Sequence, residues 1–145
     1  MRILIDGDGC PVVDATIAIA QSFGLECLLL CDTCHVFAKP GARTLVFAKG
    51  ADSVDFALVN LLQPGDLVIT QDYGLAAMCL ARRALVLSQN GMEYNEHNID
   101  ALLLARHTAK KIRNAGGRLR GPAKRTSEQD ECFKRVLKQL ITKVI

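Results

Sequence analysis

The chain has 145 residues, of which 50% are hydrophobic, and a formal net charge of +3. This length and composition suit one folded domain spanning residues 1–145 and exclude a largely disordered chain. No apolar run is long enough to cross a membrane, and the N-terminus lacks a signal-peptide pattern, so we expect a cytoplasmic protein.

The charge is distributed unevenly along the chain. Residues 1–105 hold 6 Lys and Arg against 12 Asp and Glu, whereas residues 106–145 hold 12 against 3. This split predicts a cation site in the acidic body and a polyanion contact in the basic C-terminal portion. Solvated helix faces that happen to be rich in Lys would give the same count.

The first third of the chain shows one helical pattern among three apolar runs of strand length. A helix is expected to start at Pro11, whose missing N–H costs nothing in a first turn, and to end at Gly24. The predicted strands cover residues 2–6, 25–31 and 44–48, with a turn over 39–43 before the third.

The middle of the chain alternates helix and strand, and the remainder is helical. Pro64-Gly65 ends the helix that starts near Ser53. The pattern predicts helices over about 53–63, 74–83 and 98–114, strands over 66–70 and 84–88, a loop over 90–95, and a basic connector over 118–125 before a final helix.

Apolar strands that alternate with helices favour a mostly parallel sheet covered on both faces. The expected fold is a three-layer α/β sandwich of Rossmann-like type. The final helix, capped by Thr126 or Ser127, carries the strongest amphipathic pattern in the chain, with a stripe of apolar residues from Phe133 to Val144. That stripe is wide enough to pack on its own sheet or on a second copy of the chain.

Aspartates follow the ends of two predicted strands. Asp6 and Asp8, in ILIDGDGCPV, follow the first strand, and Asp72, in VITQDYGLA, follows a later one. In open parallel sheets, ligands bind beyond the carboxyl ends of strands where the strand order reverses. If these strands are neighbours there, their carboxylates converge. Asp52 and Asp55 are spaced i, i+3 and share one face of the following helix.

Clustered carboxylates repel one another, and a hard divalent cation relieves this repulsion. We therefore predict a Mg²⁺ or Mn²⁺ site at these five residues, with Asp6 and Asp72 foremost. Taken singly, Asp52 and Asp72 also suit helix N-caps, Asp55 a first-turn acid and Asp8 a turn. Asp6 is the hardest to explain without a partner, because it ends a buried strand.

Several long motifs resemble the YaiI/YqxD family of uncharacterised bacterial proteins. These motifs are IDGDGCPV, GADSVDFALVN, GDLVITQDYGLAA and AGGRLRGP, followed by a final helix. The resemblance covers nearly the whole chain. That family is regarded as related to the PIN-like nucleases, which implies a Rossmann-like three-layer sandwich. It also implies cleavage of RNA or DNA with Mg²⁺ or Mn²⁺.

The resemblance also implies roles for individual residues. Asp6 matches the acid after the first strand of PIN-like nucleases, and Asp52 or Asp55 matches their helical acid. Asp72, preceded by Thr70, matches a Thr-x-Asp after a later strand. We expect Thr70, with the glutamine that follows it, to orient the attacking water.

A basic segment over 113–125 is expected to hold the nucleic acid backbone. No aromatic residue stands near it for base stacking, so phosphate contact without sequence preference is expected. If the acidic site were vestigial, the chain would be a non-catalytic binding module. The expected phosphate contacts are Arg113, Arg118, Arg120, Lys124 and Arg125.

A second enzyme class fits the first strand. Four apolar residues followed by Asp-x-Asp-Gly form the nucleophile signature of haloacid-dehalogenase phosphatases. In such an enzyme Asp6 would attack phosphorus and Asp8 would act as acid and base. Cys10 stands where many members have Thr or Val. The later paired acids are missing, because Asp72 stands alone.

The stretch CDTCH, residues 31–35, matches the haem-attachment pattern C-x-x-C-H. Haem attachment follows export, and no export signal is seen, so no haem is expected. Zinc is not expected either, because no second C-x-x-C supplies the other two ligands. A redox role for Cys31 and Cys34 is weakly supported. His35 is predicted to face the acidic site, and the six cysteines are expected to be mostly reduced.

Overall fold

The computed structural model describes residues 1–32, 39–48, 53–117 and 124–145. The described strands form one sheet in the order β3-β2-β1-β4-β5-β6. Neighbouring strands from β3 to β5 run parallel, and β6 pairs antiparallel with β5. The strands are β1 (Arg2–Asp6), β2 (Glu26–Asp32), β3 (Arg43–Phe47), β4 (Leu67–Ile69), β5 (Leu85–Leu87) and β6 (Glu93–Tyr94).

Helices cover both faces of the sheet, so the expected three-layer Rossmann-like sandwich is confirmed. One core cluster joins the sheet to the first and last helices, and the other joins it to the three helices between them. The helices are α1 (Val13–Ser22), α2 (Ser53–Leu61), α3 (Tyr73–Ala81), α4 (Ile99–Asn114) and α5 (Ser127–Val144). Within the described chain, no helix is long and apolar enough to cross a bilayer.

Strand β1 shows how a continuous apolar run supplies two cores. Ile3 and Ile5 point to the side of α1 and α5, and Leu4 points to the side of α2 and α3. All three are fully buried. Because side chains alternate along a strand, a strand buried on both faces has no polar positions until it ends.

Helix α5 packs its apolar stripe on the chain's own sheet. Phe133, Leu137 and Ile141 are fully buried in the cluster that contains α1. The Thr126 side chain accepts from the Gln129 amide, and the Gln129 side chain accepts from the Thr126 amide. This capping box fixes where α5 begins.

The segment predicted as a loop over 90–95 contains an edge strand. Residues 93–94 pair with β5, and Tyr94 is 1% exposed. The Ser88 hydroxyl accepts hydrogen bonds from the Asn90 and Met92 amides and so holds the preceding turn. The prediction of a loop there was wrong because a two-residue strand has no detectable alternation.

Asp66, just before β4, is buried and contacts the start of β1. Its carboxylate accepts from the Arg2 guanidinium at 2.7 Å, from the Arg2 amide at 3.1 Å and from the Gln63 amide at 2.9 Å. Burial alone would raise the pKa of Asp66, but these hydrogen bonds outweigh it and hold the pKa below its usual value. The pair ties the start of β1 to the start of β4.

Candidate functional site

The strand order places the candidate site between β1 and β4. The chain proceeds from β1 outward to β2 and β3 on one side, and from β4 outward to β5 and β6 on the other. The carboxyl ends of β1 and β4 therefore open a crevice at the switch point, as the sequence predicts. Asp6 is the last residue of β1, and Thr70 follows β4.

Five carboxylates of the described residues line one cleft at this edge of the sheet, which we call the acidic cleft. It encloses about 430 Å³. Asp6 and Asp32 end β1 and β2, and Asp8 lies in the turn after β1. Asp55 lies in the first turn of α2, and Asp72 is the N-cap of α3. The acidic cleft is lined by Asp6, Asp8, Asp32, Asp55 and Asp72, with Ser53, Val54 and Gln71.

A buried hydroxyl connects two of these acids. Thr70, 3% exposed, donates from Oγ1 to Oδ2 of Asp6 at 2.8 Å. The Asp72 amide in turn donates to Thr70 Oγ1 at 3.0 Å. Thr70 thus fixes the orientation of the Asp6 carboxylate and the position of the Asp72 backbone.

Asp6 has a perturbed acidity. Burial raises the pKa of Asp6 to about 6, although the hydrogen bond from Thr70 acts in the opposite direction. The value of about 6 also includes smaller increases from the negative charges of Asp55, Asp72 and Asp8. A carboxylate whose charge is disfavoured by both burial and like charges is stabilised when a cation enters the cleft.

The turn after β1 brings Asp8 beside the end of β2. The Gly7 amide donates to the Leu30 carbonyl oxygen at 2.8 Å, and a Cβ on Gly7 would lie 2.9 Å from that oxygen. Only glycine therefore allows this approach without a shift. As a result, Asp8 Oδ1 accepts from the Asp32 amide at 3.4 Å.

Asp72 fills the capping role that the sequence left open. Its Oδ1 accepts from the Leu75 amide at 3.1 Å at the start of α3. The same oxygen lies 3.5 Å from Nη1 of Arg106 on α4. Asp72 therefore caps α3 and lines the acidic cleft at the same time.

The described residues contain no group of three or more His, Cys, Asp or Glu side chains that could hold a metal ion. The carboxylates share a cleft without forming a closed ligand set. Asp55 lies in the first turn of α2 and lines the cleft. Asp52, Cys34 and His35 lie outside the described residues, so their predicted roles stay predictions.

The cysteines of the described core behave as small apolar residues. Cys27 and Cys79 are buried, and burial raises the pKa of each thiol to about 12. Thiols of such high pKa are unreactive at neutral pH.

Among the described Lys and Arg residues of the predicted basic segment, two are exposed and one makes internal contacts. Arg113 and Lys124 are exposed, as a phosphate contact requires. Arg125 instead donates to Asp130 Oδ1 at 2.7 Å, to Asn90 Oδ1 at 2.6 Å and to the Gln89 carbonyl at 2.7 Å. Its guanidinium holds α5 against the loop after β5. Arg118 and Arg120 lie outside the described residues.

Sequence reasoning missed two residues of the site. Asp32 ends β2 beside β1, and it was read only as part of the cysteine pattern CDTCH. The apolar run before it carried the same signal as the run before Asp6. Arg106 reaches Asp72 from 34 positions away in the chain, and no local pattern indicates such a contact.

Comparison with known proteins places the whole chain in one family. The profile described as "Uncharacterized BCR, YaiI/YqxD family" matches residues 4–143. A UPF0178 protein of Exiguobacterium sibiricum is 51% identical over 98% of this chain and 97% of its own length. A UPF0178 protein of Clostridium acetobutylicum is 46% identical over 97% of each chain. No solved structure matches. The resemblance seen in the motifs is confirmed, and the chain belongs to the YaiI/YqxD family of uncharacterised proteins.

Proposed function

We propose that the chain is a Mg²⁺- or Mn²⁺-dependent nuclease that cuts phosphodiester bonds of RNA or DNA at the acidic cleft. The observation that carries this proposal is the convergence of five carboxylates on one cleft at the switch point of the sheet. Such crevices are where open α/β folds bind ligands. Strongly perturbed carboxyl groups in a cleft, such as Asp6 with its pKa of about 6, mark candidate functional sites.

The donor set fits a hard cation with few direct protein ligands. Mg²⁺ keeps several waters and is usually held by one or two carboxylates together with substrate phosphates. The described acids line the cleft without forming a three-residue ligand group, so the proposed ion would take most of its ligands from water and the substrate phosphate. Asp6 would hold the ion with Asp72 or Asp55, and Asp8 would contribute through water.

When bound, such an ion would neutralise charge on the phosphodiester and lower the pKa of a coordinated water. The chain's own residues would orient the reactants. Thr70 holds Asp6 in one orientation through its 2.8 Å hydrogen bond. Gln71 lines the same cleft and accepts from the Gln89 amide at 3.2 Å, so its side chain is positioned to orient the attacking water.

The basic C-terminal portion would hold the rest of the nucleic acid. Arg113 and Lys124 remain the described candidates for phosphate contacts, together with Arg118 and Arg120 from the sequence. The guanidinium of Arg125 makes three internal contacts, so Arg125 has a structural role in this proposal and does not contact phosphate. Neutralised phosphates release counterions, so binding should weaken steeply with salt.

The test is a cleavage assay with labelled single-stranded RNA and DNA in Mn²⁺. Wild-type protein should cut at least one of them, and Asp72→Asn should bind without cutting. Asn caps a helix about as well as Asp, so α3 should be preserved in this variant. Asp14→Asn is the matched control, because Asp14 is an exposed acid on α1 paired with Lys39.

Two other outcomes would redirect the proposal. Binding with no cleavage under any metal would favour the non-catalytic binding module. Hydrolysis of small phosphate esters, with a phosphoryl adduct on Asp6, would favour the phosphatase.

A further inference from the structure

A second groove adjoins the acidic cleft on the side of α2, α3 and α4. It encloses about 320 Å³ and shares Asp55 and Asp72 with the cleft. Its other side chains are apolar or basic. We call it the Phe56 groove; it is lined by Asp55, Phe56, Asp72, Gly74, Leu75, Met78 and Arg106.

Phe56 is an aromatic ring held in solvent beside the acids. It is 58% exposed, although it lies in an amphipathic helix with Val54 and Leu58 buried on the other face. Arg106 lines the same groove, and its side chain is also 58% exposed. The ion pair of Arg106 with Asp72 is 3.5 Å long and exposed, so it is weak, and an incoming phosphate can replace Asp72.

We propose that the Phe56 groove binds one nucleoside of a single-stranded nucleic acid, with the base stacked on Phe56 and a flanking phosphate on Arg106. This inference rests on the proposed nuclease function and names its substrate class. Bases in a duplex are already stacked on their neighbours, whereas single strands expose their π-faces to aromatic side chains. The shared acids would place the adjoining phosphodiester in the acidic cleft.

The test is binding of fluorescent single-stranded and duplex oligonucleotides in EDTA, followed by fluorescence anisotropy. Stacking of about 1–3 kcal/mol per base predicts that Phe56→Ala weakens single-strand binding by about 5- to 150-fold. Phe56→Tyr keeps the ring and should bind like wild type. Met92→Ala, an exposed apolar change elsewhere, should also have no effect.

Unchanged affinity in Phe56→Ala would overturn the stacking site, as would equal wild-type affinity for duplex or no binding at all. Cleavage in Mn²⁺ is measured in parallel. Metal-dependent cutting without a loss of binding in Phe56→Ala would refute this groove and leave the nuclease proposal standing. Weaker single-strand binding by Phe56→Ala, with no cutting by wild type in Mn²⁺, would support this groove and refute the nuclease proposal.

A different observation concerns the outer face of α4. Ile99 is buried within this helix, and Leu102 and Leu103 pack against the second core. The opposite side is also apolar, and Leu104 is 65% exposed. The stripe, which we call the α4 face, lines a shallow groove of about 430 Å³ formed by Ala101, Leu104, Ala105, Thr108, Ala109 and Ile112.

The α4 face is complementary to itself when two helices run antiparallel. Its spacing of i, i+3, i+4, i+7, i+8 and i+11 forms a continuous stripe. A twofold axis near its middle places Leu104 against Ala109 of a second copy and Ile112 against Ala101. Large side chains then meet small ones toward both ends of the stripe, and the small Ala105 and Thr108 meet at its centre.

The charges that border the stripe favour the same arrangement. At 100° per residue, Asp100 and Lys111 lie on the same edge of the stripe near opposite ends. Antiparallel pairing about a twofold axis sets this edge of one copy beside the same edge of the other, so Asp100 of one copy lies near Lys111 of the other. We infer that the α4 face binds a second copy of this chain and forms a symmetric dimer.

The test is sedimentation velocity over a range of protein concentrations, with circular dichroism to confirm folding. Wild type should show a dimer, and Leu104→Glu should sediment as a monomer. Asp100→Lys should also weaken the dimer, and the double variant Asp100→Lys/Lys111→Glu should restore it. Val46→Glu, at an exposed apolar position on β3, is the control. A monomeric wild type, or a dimer that survives Leu104→Glu, would overturn this interface.

Discussion

The hydroxyl of Thr70 donates to the carboxylate of Asp6 at 2.8 Å across the switch point of the sheet. This one contact joins the ends of β1 and β4, and Thr70 also accepts from the amide of Asp72. It offsets part of the cost of burying the Asp6 carboxylate. The cleft is therefore organised before any ligand binds.

Replacing Thr70 with Val should destabilise the protein by about 1–3 kcal/mol. Valine keeps the shape but leaves the Asp6 carboxylate and the Asp72 amide without this partner. The measurement is the free energy of unfolding in urea. Thr70→Ser should retain most of the stability, and an equal loss in both variants would show that packing, not the hydroxyl, matters there.

Asp6 should make the metal-free protein more stable as the pH falls. Its pKa is about 6 when folded, against about 3.9 in an unfolded chain. Between about pH 7 and pH 4 the folded state binds a proton that the unfolded state does not, so the contribution of this group to stability rises as pH falls. The difference of about two pKa units limits the contribution of Asp6 to the free energy of unfolding to about 3 kcal/mol.

The measurement for this prediction is urea unfolding in EDTA at several pH values, for wild type and Asp6→Asn. Asparagine does not titrate and can still accept from Thr70. The variant should therefore be the more stable protein at alkaline pH, and the difference should shrink on acidification. Parallel pH profiles would contradict the assignment of a raised pKa to Asp6.

The Arg2–Asp66 pair should be important for stability. The Asp66 side chain is 4% exposed and accepts from both the side chain and the amide of Arg2. Asp66→Ala should cost about 3–5 kcal/mol, because it leaves the partly buried guanidinium of Arg2 with the Leu61 carbonyl oxygen but without its carboxylate. Asp14→Ala, which breaks an exposed pair, should cost less than about 1 kcal/mol. Similar losses in the two variants would contradict this ranking.

The acidity of Asp66 also predicts the direction of acid unfolding. Its pKa is lowered in the folded chain, so its contribution is present above its unfolded pKa and is lost as the pH falls through the folded one. Asp66 and Asp6 therefore oppose each other on acidification. Wild-type protein should lose stability below about pH 4, and Asp66→Asn should show a shallower loss.

In the basic portion, we expect Arg125 to contribute to stability and Arg113 to contribute to nucleic acid binding. Arg125→Ala should lower the melting temperature, because three contacts that fasten α5 to the loop at Gln89 and Asn90 are lost. Arg113→Ala should leave stability unchanged and weaken nucleic acid binding, with a shallower dependence on salt. Thermal melting and anisotropy titrations over a salt series measure both. Weaker nucleic acid binding by Arg125→Ala without a lower melting temperature would contradict this and indicate that Arg125 contacts nucleic acid.

Much of the fold was predictable because the signals are local. The apolar run before Asp6, the helical spacing around Leu58 and the cap at Thr126 each depend on neighbouring residues. Helix and strand boundaries shifted by up to two residues because helix ends fray and short strands lack periodicity. The place of the acids followed from topology, since carboxyl ends of parallel strands meet at one edge of the sheet.

The remaining features depend on contacts between distant parts of the chain. Arg2 meets Asp66 across 64 positions, and Arg125 meets Asn90 across 35. Neither pairing leaves a pattern in either local sequence. Exposure is equally hidden: Phe56 and Leu104 look like ordinary core positions until the structure leaves both in solvent.

The central claim is that the acidic cleft holds a hard divalent cation, and Mn²⁺-dependent thermal stability tests it most directly. Mn²⁺ should raise the melting temperature of wild type and of Asp14→Asn in proportion to the logarithm of its concentration above the dissociation constant. It should leave Asp6→Asn unchanged. Equal shifts in wild type and Asp6→Asn would contradict a metal site at this cleft.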